Sequence, residues 1–204
     1  MSLKLRLASI WLPKSTLIHE LERISKLTIT ALDSTLQAYG PEDLEIIRRN
    51  EKPMQGNLNE MRTFMCLAHN SRVAALVKAL GKEKAIKVSR QIMFNVGRQL
   101  GQEVRTRLKV GSSVNDLLRA AKVLYKILGI RFEFNKKGDD KGVLCVDRCF
   151  LADHYSEDAC LVLSAVDEGV VRGLNPQIRM EFKERLTTGR PACIAQLYFS
   201  FTGR

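Results

Sequence analysis

The period of the hydrophobic pattern changes at Gly129, and this change constrains the fold more than any other feature of the chain. Upstream, apolar residues recur at helical spacing, as at Leu17, Leu21, Ile24 and Leu27. Downstream, they alternate with polar residues as in a half-buried strand, as at Ile130, Phe132 and Phe134. We therefore predict an α+β fold, with the helical N-terminal two thirds packed on a C-terminal antiparallel sheet.

Start and stop signals divide the helical part into about five helices. Pro13 opens a helix that Gly40 ends. Within the helical stretch 61–107, Ser71 is expected to cap the start of a helix and Gly81 to separate two helices.

Two hairpin signals predict a sheet that runs from Ile130 to Phe201. The polar tract KKGDDKG separates its first two strands, and TGRP separates its last two. Between the hairpins a helix is predicted over residues 157–172, with Ser156 as its N-cap and Gly173 as its stop.

Residues 50–59 contain Pro53 and Gly56 and form the best linker in the chain. We therefore divide the chain at this point. Residues 1–55 are a helical N-terminal extension or the first helices of the core, and residues 56–204 are an α+β small-molecule-binding domain.

The positive charge is unevenly distributed along the 204 residues. Of a net charge of +11, residues 1–110 carry +9, from 19 Lys and Arg against 10 Asp and Glu. A basic helical half raises nucleic-acid binding as a third hypothesis. However, basic clusters are only pairs such as Arg48-Arg49, and no zinc-finger or aromatic RNA-binding signature occurs. We expect the basic face to be solvated, and nucleic acid not to be the partner.

Three features bear on the compartment. No apolar run reaches about 18 residues, so neither a membrane span nor a membrane partner is predicted. The start MSLKLRLASIWLPKS lacks the cleavage pattern of a signal peptide. The five cysteines are an odd number and indicate reduced thiols, which predicts a cytoplasmic protein.

A reactive thiol is the first interpretation of the C-terminal segment, which holds four of the five cysteines. On the predicted helix, Cys160, Ser164 and Asp167 are spaced i, i+4, i+7 and share one face. Cys160 lies in the first turn, where the helix dipole lowers the pKa of a thiol. We predict Cys160 as the nucleophile and the most reactive thiol, with His154 and Asp167 transferring protons.

A zinc site is the second interpretation. Cys145 and Cys149, on one regular strand, would lie about 13 Å apart. Two thiolates on one zinc ion must lie within roughly 4 Å of each other, so both cannot bind the same ion. A set formed by Cys149, His154, Cys160 and Cys193 stays open, and zinc is the one cofactor that the sequence indicates.

We place a ligand pocket between this helix and the sheet, with Cys149, Ser164 and Cys193 contributing polar atoms. A buried acid and hydroxyl on the helix would need partners, which a ligand, a metal or water would supply. The alternative is that Ser164 and Asp167 face solvent.

The segment from Cys149 to Phe199 resembles the C-terminal half of the L-2-amino-thiazoline-4-carboxylate hydrolase-like family. The elements that carry the resemblance are Cys149, Cys160, Asp167, Gly173-Leu174-Asn175-Pro176, the strand from Ile178, Thr188-Gly189 and Cys193. The upstream helices, which contain Gly81, Gly97 and Gly101, are similar to 4-vinyl reductase-type domains. The resemblance implies an α+β small-molecule binder that is often a homodimer.

The sequence departs from the family pattern at Ser164, where the family places a second cysteine on the helix. Gln196 also replaces a more typical acidic or aromatic residue. The resemblance therefore supports the fold and the pocket more directly than it supports a reaction.

Two hypotheses on function follow, from different classes. In the first, the protein is a cysteine-dependent hydrolase that opens a C–N or C–S bond of a small heterocyclic or amide-like substrate. In the second, it is a non-enzymatic sensor or carrier domain of the 4-vinyl reductase type that binds a small ligand or a metal.

Overall fold

The structure, a computed structural model, describes residues 2–200 and confirms the predicted α+β architecture. In this part of the chain the α-helices are α1 (Leu3–Ile10), α2 (Lys14–Tyr39), α3 (Pro41–Asn50), α4 (Leu58–Leu80), α5 (Lys82–Leu108), α6 (Val114–Leu128) and α7 (Glu157–Leu174). The strands are β1 (Ile130–Lys137), β2 (Lys141–Cys149), β3 (Ile178–Glu184) and β4 (Cys193–Phe199). They form one antiparallel sheet with the order β1-β2-β4-β3. Phe201, the predicted end of the sheet, lies outside the described residues.

The helical part differs from the prediction at two places. Six helices precede Gly129 instead of about five, because α1 forms in a segment without clear apolar periodicity. Ser71 caps no helix start, which corrects that prediction, because α4 runs through it without a break. The cap of α4 is Asn57, whose side chain accepts hydrogen bonds from two backbone amides, while the Glu60 carboxylate accepts one from the Asn57 amide.

Glycines bring α5 and α7 into backbone contact. Gly97 and Gly101 on α5 face Gly169 and Gly173 on α7. A Cβ atom at Gly97 would lie 2.0 Å from the backbone oxygen of Val166, so no larger residue fits there without moving α7. This contact sets the position of α7 and therefore of the helix face that was predicted to carry the site.

The inner face of the sheet forms the floor of the core. Leu144 and Val146 of β2 and Ala195 and Leu197 of β4 are buried against helices α6 and α7. Helices α2 and α4 cover the same region from the other side, so residues 1–55 pack directly on the rest of the fold. The interior space between these four helices and the sheet is where the candidate site lies.

A charged cluster, here called the Arg72 cluster, ties α2, α3 and α4 together. The Arg72 side chain is 1% exposed and donates to Asp33 at 2.5 Å and to both oxygens of Glu51 at 2.8 and 2.9 Å. Arg48 also donates to Asp33, at 3.0 Å. Each buried charge in this cluster therefore has an opposite charge within hydrogen-bonding distance, as burial of a charge requires.

Candidate functional site

An interior cavity of about 90 Å³ lies between α2, α4, α6, α7 and the sheet. Most of its lining is apolar. The polar and reactive side chains on its wall are Thr28, His69, Tyr125, Cys149, Tyr155, Cys160, Ser164, Asp167, Arg185 and Cys193. A second cavity of about 50 Å³ shares Tyr125 and Asp167 with the first. The five residues Cys149, Cys160, Ser164, Asp167 and Cys193 therefore line one cavity.

Three of these side chains come from one face of α7. Ser156 caps the helix by accepting a hydrogen bond from the Ala159 amide at 3.2 Å. The helical repeat then aims Cys160, Ser164 and Asp167 at the cavity. Ser164 is buried and Asp167 is half-buried, and both line the cavity.

Asp167 lies in the wall shared by the two cavities, beside Tyr125. Burial raises the pKa of its carboxyl from 3.8 to about 7, and the nearby negative charge of Glu168 adds to the effect. Among the described residues, no side chain or backbone group forms a hydrogen bond or an ion pair with this carboxyl. Asp167 can therefore exist in both protonation states near neutral pH and has unused hydrogen-bonding capacity.

Two guanidinium groups meet at Ser164. Its hydroxyl donates to the Leu161 carbonyl at 3.0 Å and accepts from Arg90 at 3.3 Å and from Arg185 at 3.1 Å. Arg90 is neutralised by Glu168 at 2.7 Å. Arg185 forms no ion pair with a described residue, and its buried Nε atom has no hydrogen-bond partner there. Burial, together with the charge of Arg90, lowers the pKa of Arg185.

The three thiols of the cavity are protonated at neutral pH. Burial raises the pKa of Cys149 to about 12 and also raises the pKa of Cys160 and Cys193. At Cys160 this direction is opposite to the lowered pKa that we expected from the helix dipole, because burial disfavours the thiolate. The sulfur of Cys193 accepts a hydrogen bond from the Leu186 amide at 3.2 Å.

A hydrogen-bonded chain closes the opposite wall. The Thr28 hydroxyl donates to the Ile24 carbonyl at 2.9 Å and lies 2.8 Å from His69 Nε2, while the Tyr155 hydroxyl lies 2.8 Å from His69 Nδ1. In the arrangement that satisfies every group, Nε2–H donates to Thr28 and the Tyr155 hydroxyl donates to Nδ1. Burial lowers the pKa of His69 to about 3, so the ring is neutral. The polar groups of this wall therefore have hydrogen-bond partners within the protein and need none from a ligand.

His154 lies away from the cavity wall. Its ring packs on Phe150, with 4.8 Å between centroids, and its Nε2 atom is 3.4 Å from the Thr63 hydroxyl. The Asn70 side chain donates to the His154 carbonyl at 2.8 Å and holds the segment on the α4 side. Within residues 2–200, no group of three or more His, Cys, Asp or Glu side chains is placed to hold a metal ion. The structure therefore does not bring Cys149, His154, Cys160 and Cys193 together as a zinc site.

Five polar cavity residues were not predicted from the sequence, namely Thr28, His69, Tyr125, Tyr155 and Arg185. Tyr125 carried a partial signal, because it lies on the apolar face of α6. His69, Tyr155 and Arg185 carried none, since each reaches the cavity from an element whose neighbours are unknown before folding. Arg185, just after β3, adds the positive charge that the predicted set lacked.

Residues 59–196 match the sequence model of a family described as L-2-amino-thiazoline-4-carboxylic acid hydrolase. A search of curated proteins found no match.

Two solved structures share the fold. One is a trafficking protein particle complex subunit 3 from Naegleria fowleri covalently bound to palmitic acid, at 19% identity and a TM-score of 0.55, covering 70% of this chain and 97% of that chain. The other is the phenol-responsive sensory domain of the transcription activator PoxR with phenol, at 16% identity and a TM-score of 0.52, covering 72% and 76% of the two chains. At these identities the likeness shows the fold alone. The resemblance to 4-vinyl reductase-type domains stays a prediction.

Proposed function

The chain belongs to the L-2-amino-thiazoline-4-carboxylic acid hydrolase family, and we propose that it binds a small, mainly apolar organic molecule in its central cavity. The observation that carries this proposal is the cavity itself, whose apolar lining is interrupted by a few convergent polar groups. Such a lining is typical of small-molecule sites. The second hypothesis from the sequence, a ligand-binding sensor or carrier domain, is therefore our first choice.

The size of the cavity favours a ligand built on a single ring. Each water-sized group that a cavity holds takes up about 10–15 Å³ of the cavity volume. The 90 Å³ of the main cavity therefore correspond to about six to nine such groups. Phenol, which is bound by the similar sensory domain, is in this range, whereas the palmitic acid of the other similar structure would need more space.

The polar groups favour a weakly acidic ligand. Arg185 offers an N–H group without a partner, and a carboxylate or phenolate oxygen would accept from it. Asp167 lies one helical turn from Ser164 on the same face and could accept a hydrogen bond from a ligand N–H or O–H group. A ligand with an acidic oxygen and one donor would use both groups.

Cysteine-dependent hydrolysis is the second candidate, and family membership favours it. In this reaction Cys160 Sγ would form a bond to a substrate carbon while a C–N or C–S bond breaks. Ionised Asp167, with its pKa near 7, would accept the proton of the Cys160 thiol and pass it to the leaving atom. Water would then cleave the thioester-like intermediate and restore the thiol. Binding ranks first because the pKa of Cys160 is raised and His154 does not line the cavity.

Thermal denaturation with phenol, benzoate and benzamide tests the binding proposal. We expect benzoate to raise the melting temperature more than its neutral isostere benzamide, because only benzoate offers a charged acceptor to Arg185. Arg185→Gln should remove this preference, whereas Asp153→Asn, a change at an exposed carboxyl outside the cavity, should preserve it. If none of the three compounds stabilises the protein, the proposal is wrong.

Turnover of L-2-amino-thiazoline-4-carboxylate tests the second candidate. Hydrolysis that Cys160→Ser abolishes and Cys145→Ser preserves would make catalysis the primary function. Cys145 is the matched control because it lies on β2 outside the cavity lining.

A further inference from the structure

The short helix α1 presents apolar side chains on two opposite faces. Leu5 is fully buried in the main core cluster, where α1 packs on α6. On the other side, the exposed fractions are 71% for Leu3, 59% for Leu7, 69% for Ile10 and 68% for Trp11. These four residues, here called the α1 strip, include the four most exposed large apolar side chains of the described chain. The fold holds α1 in place by Leu5 and leaves the strip uncovered by the rest of the described chain.

The geometry of the α1 strip is that of a helix lying in a membrane interface. At 3.6 residues per turn, Leu3, Leu7 and Ile10 fall within an arc of about 60°, with Leu5 on the opposite side. Lys4 and Arg6 flank the arc, one on each side, and both are exposed. Trp11 follows at the end of the helix, where an indole ring suits the level of lipid headgroups.

All charged residues near the strip in the sequence are positive. Residues 1–19 contain Lys4, Arg6 and Lys14 and no acidic residue. Within residues 2–200, none of these three side chains forms an ion pair. Lys126 of α6 adds a further cation beside the end of α1, where its Nζ atom lies 3.3 Å from the Ile10 carbonyl.

We propose that the α1 strip docks on an anionic lipid bilayer surface, with its apolar side chains in the headgroup region and Lys4, Arg6 and Lys14 against lipid phosphates and carboxylates. An apolar strip flanked by cations matches such a surface in both polarity and charge. A second copy of the chain fits less well, because a symmetric contact through this strip places Lys4 and Arg6 of one copy near the same cations of the other.

This surface differs from a membrane span. No helix within residues 2–200 has the length and apolarity that crossing a bilayer requires. The expectation of no membrane partner came from the missing span, and it does not apply to a helix that lies on the surface. The inference also stands independently of the cavity, with which the α1 strip shares no residue.

Trp11 provides a direct measurement, because it is the one tryptophan of the chain. The protein is titrated with vesicles of phosphatidylcholine alone and with vesicles that also contain phosphatidylserine. We expect a blue shift of the fluorescence and co-sedimentation with the phosphatidylserine vesicles, both reduced by added salt. Leu7→Asp should weaken binding by about tenfold or more, since it removes a buried leucine from the interface. The double change Lys4→Glu and Arg6→Glu should remove the preference for phosphatidylserine.

Leu67→Asp is the matched control, because Leu67 is 58% exposed on α4, far from the strip in sequence, and undergoes the same substitution. It should bind vesicles like the parent. The proposal is overturned if the parent binds neither type of vesicle, or if Leu7→Asp binds as well as Leu67→Asp. It is also overturned if the parent ignores vesicles but forms dimers that Leu7→Asp dissociates, since the strip would then be a contact between copies.

Discussion

Two regions of this protein bury charge, and they treat it in opposite ways. In the Arg72 cluster, each buried charge has an opposite partner at hydrogen-bonding distance. At the cavity, Asp167 and Arg185 are half-buried, yet neither forms an ion pair with a described residue. The Arg72 cluster connects three helices, whereas Asp167 and Arg185 line the cavity.

The difference separates structural charge from charge that is available to a ligand. Burial of a charge is costly, and a fold recovers the cost through partners close at hand. Where the partners are missing, burial shifts the pKa toward the neutral form, as at Asp167 and Arg185. Groups of this kind in a cavity are candidates for function on physical grounds. The following predictions run from the largest expected effect to the smallest.

Arg72→Met should destabilise the protein by about 3–5 kcal/mol, because it leaves Asp33 and Glu51 with less compensation in a buried site. Urea denaturation measures the free energy of unfolding. Arg49→Met, at an exposed arginine of neighbouring α3, should stay within about 0.5 kcal/mol of the parent. Equal effects of the two changes would show that the Arg72 cluster is not structural.

Asp167→Asn should stabilise the protein at pH 8, by an amount on the order of 3 kcal/mol. The folded carboxyl holds its proton up to about pH 7, whereas the unfolded one releases it near 3.8. The unfolded state therefore binds fewer protons between these values, and the stability of the parent falls as pH rises through this window. The advantage of the variant should vanish near pH 3. An advantage that is independent of pH would contradict the assigned pKa.

Arg185→Gln should change the free energy of unfolding by about 1 kcal/mol or less, because the guanidinium gives up one hydrogen bond to Ser164 and no ion pair. The same change should abolish the preference for benzoate over benzamide. A large loss of stability would place Arg185 with the Arg72 cluster as a structural charge, and the distinction between the two regions would fail.

Thiol labelling should show the smallest effect, a change in the labelling rates of individual cysteines. We expect benzoate to slow the labelling of Cys160 and Cys193, which line the cavity, and to leave Cys145 unaffected. Peptide mapping after brief exposure to a thiol reagent measures each rate. Protection of Cys145 to the same degree would indicate a ligand site outside the cavity. The same experiment tests whether Cys160 is the most reactive thiol, which stays a prediction.

The local part of the site could be predicted from the sequence. Helical spacing alone places Cys160, Ser164 and Asp167 on one face, and Ser156 sets where that helix begins. His154 shows the limit of the same reasoning. It lies six residues before Cys160, but a short helical turn and the side chain of Asn70 hold it against α4.

Sequence by itself determined the change from helix to sheet at Gly129, the antiparallel pairing and the residues of α7 that face inward, because these depend on spacing and caps within short segments. Only the tertiary structure decided which residues from distant parts of the chain lie beside the inward-facing residues of α7. Arg185 reaches Ser164, and Tyr125 meets Asp167, only after the sheet packs on the helices. The raised pKa of Cys160 was decided in the same way, because desolvation depends on the whole surrounding core.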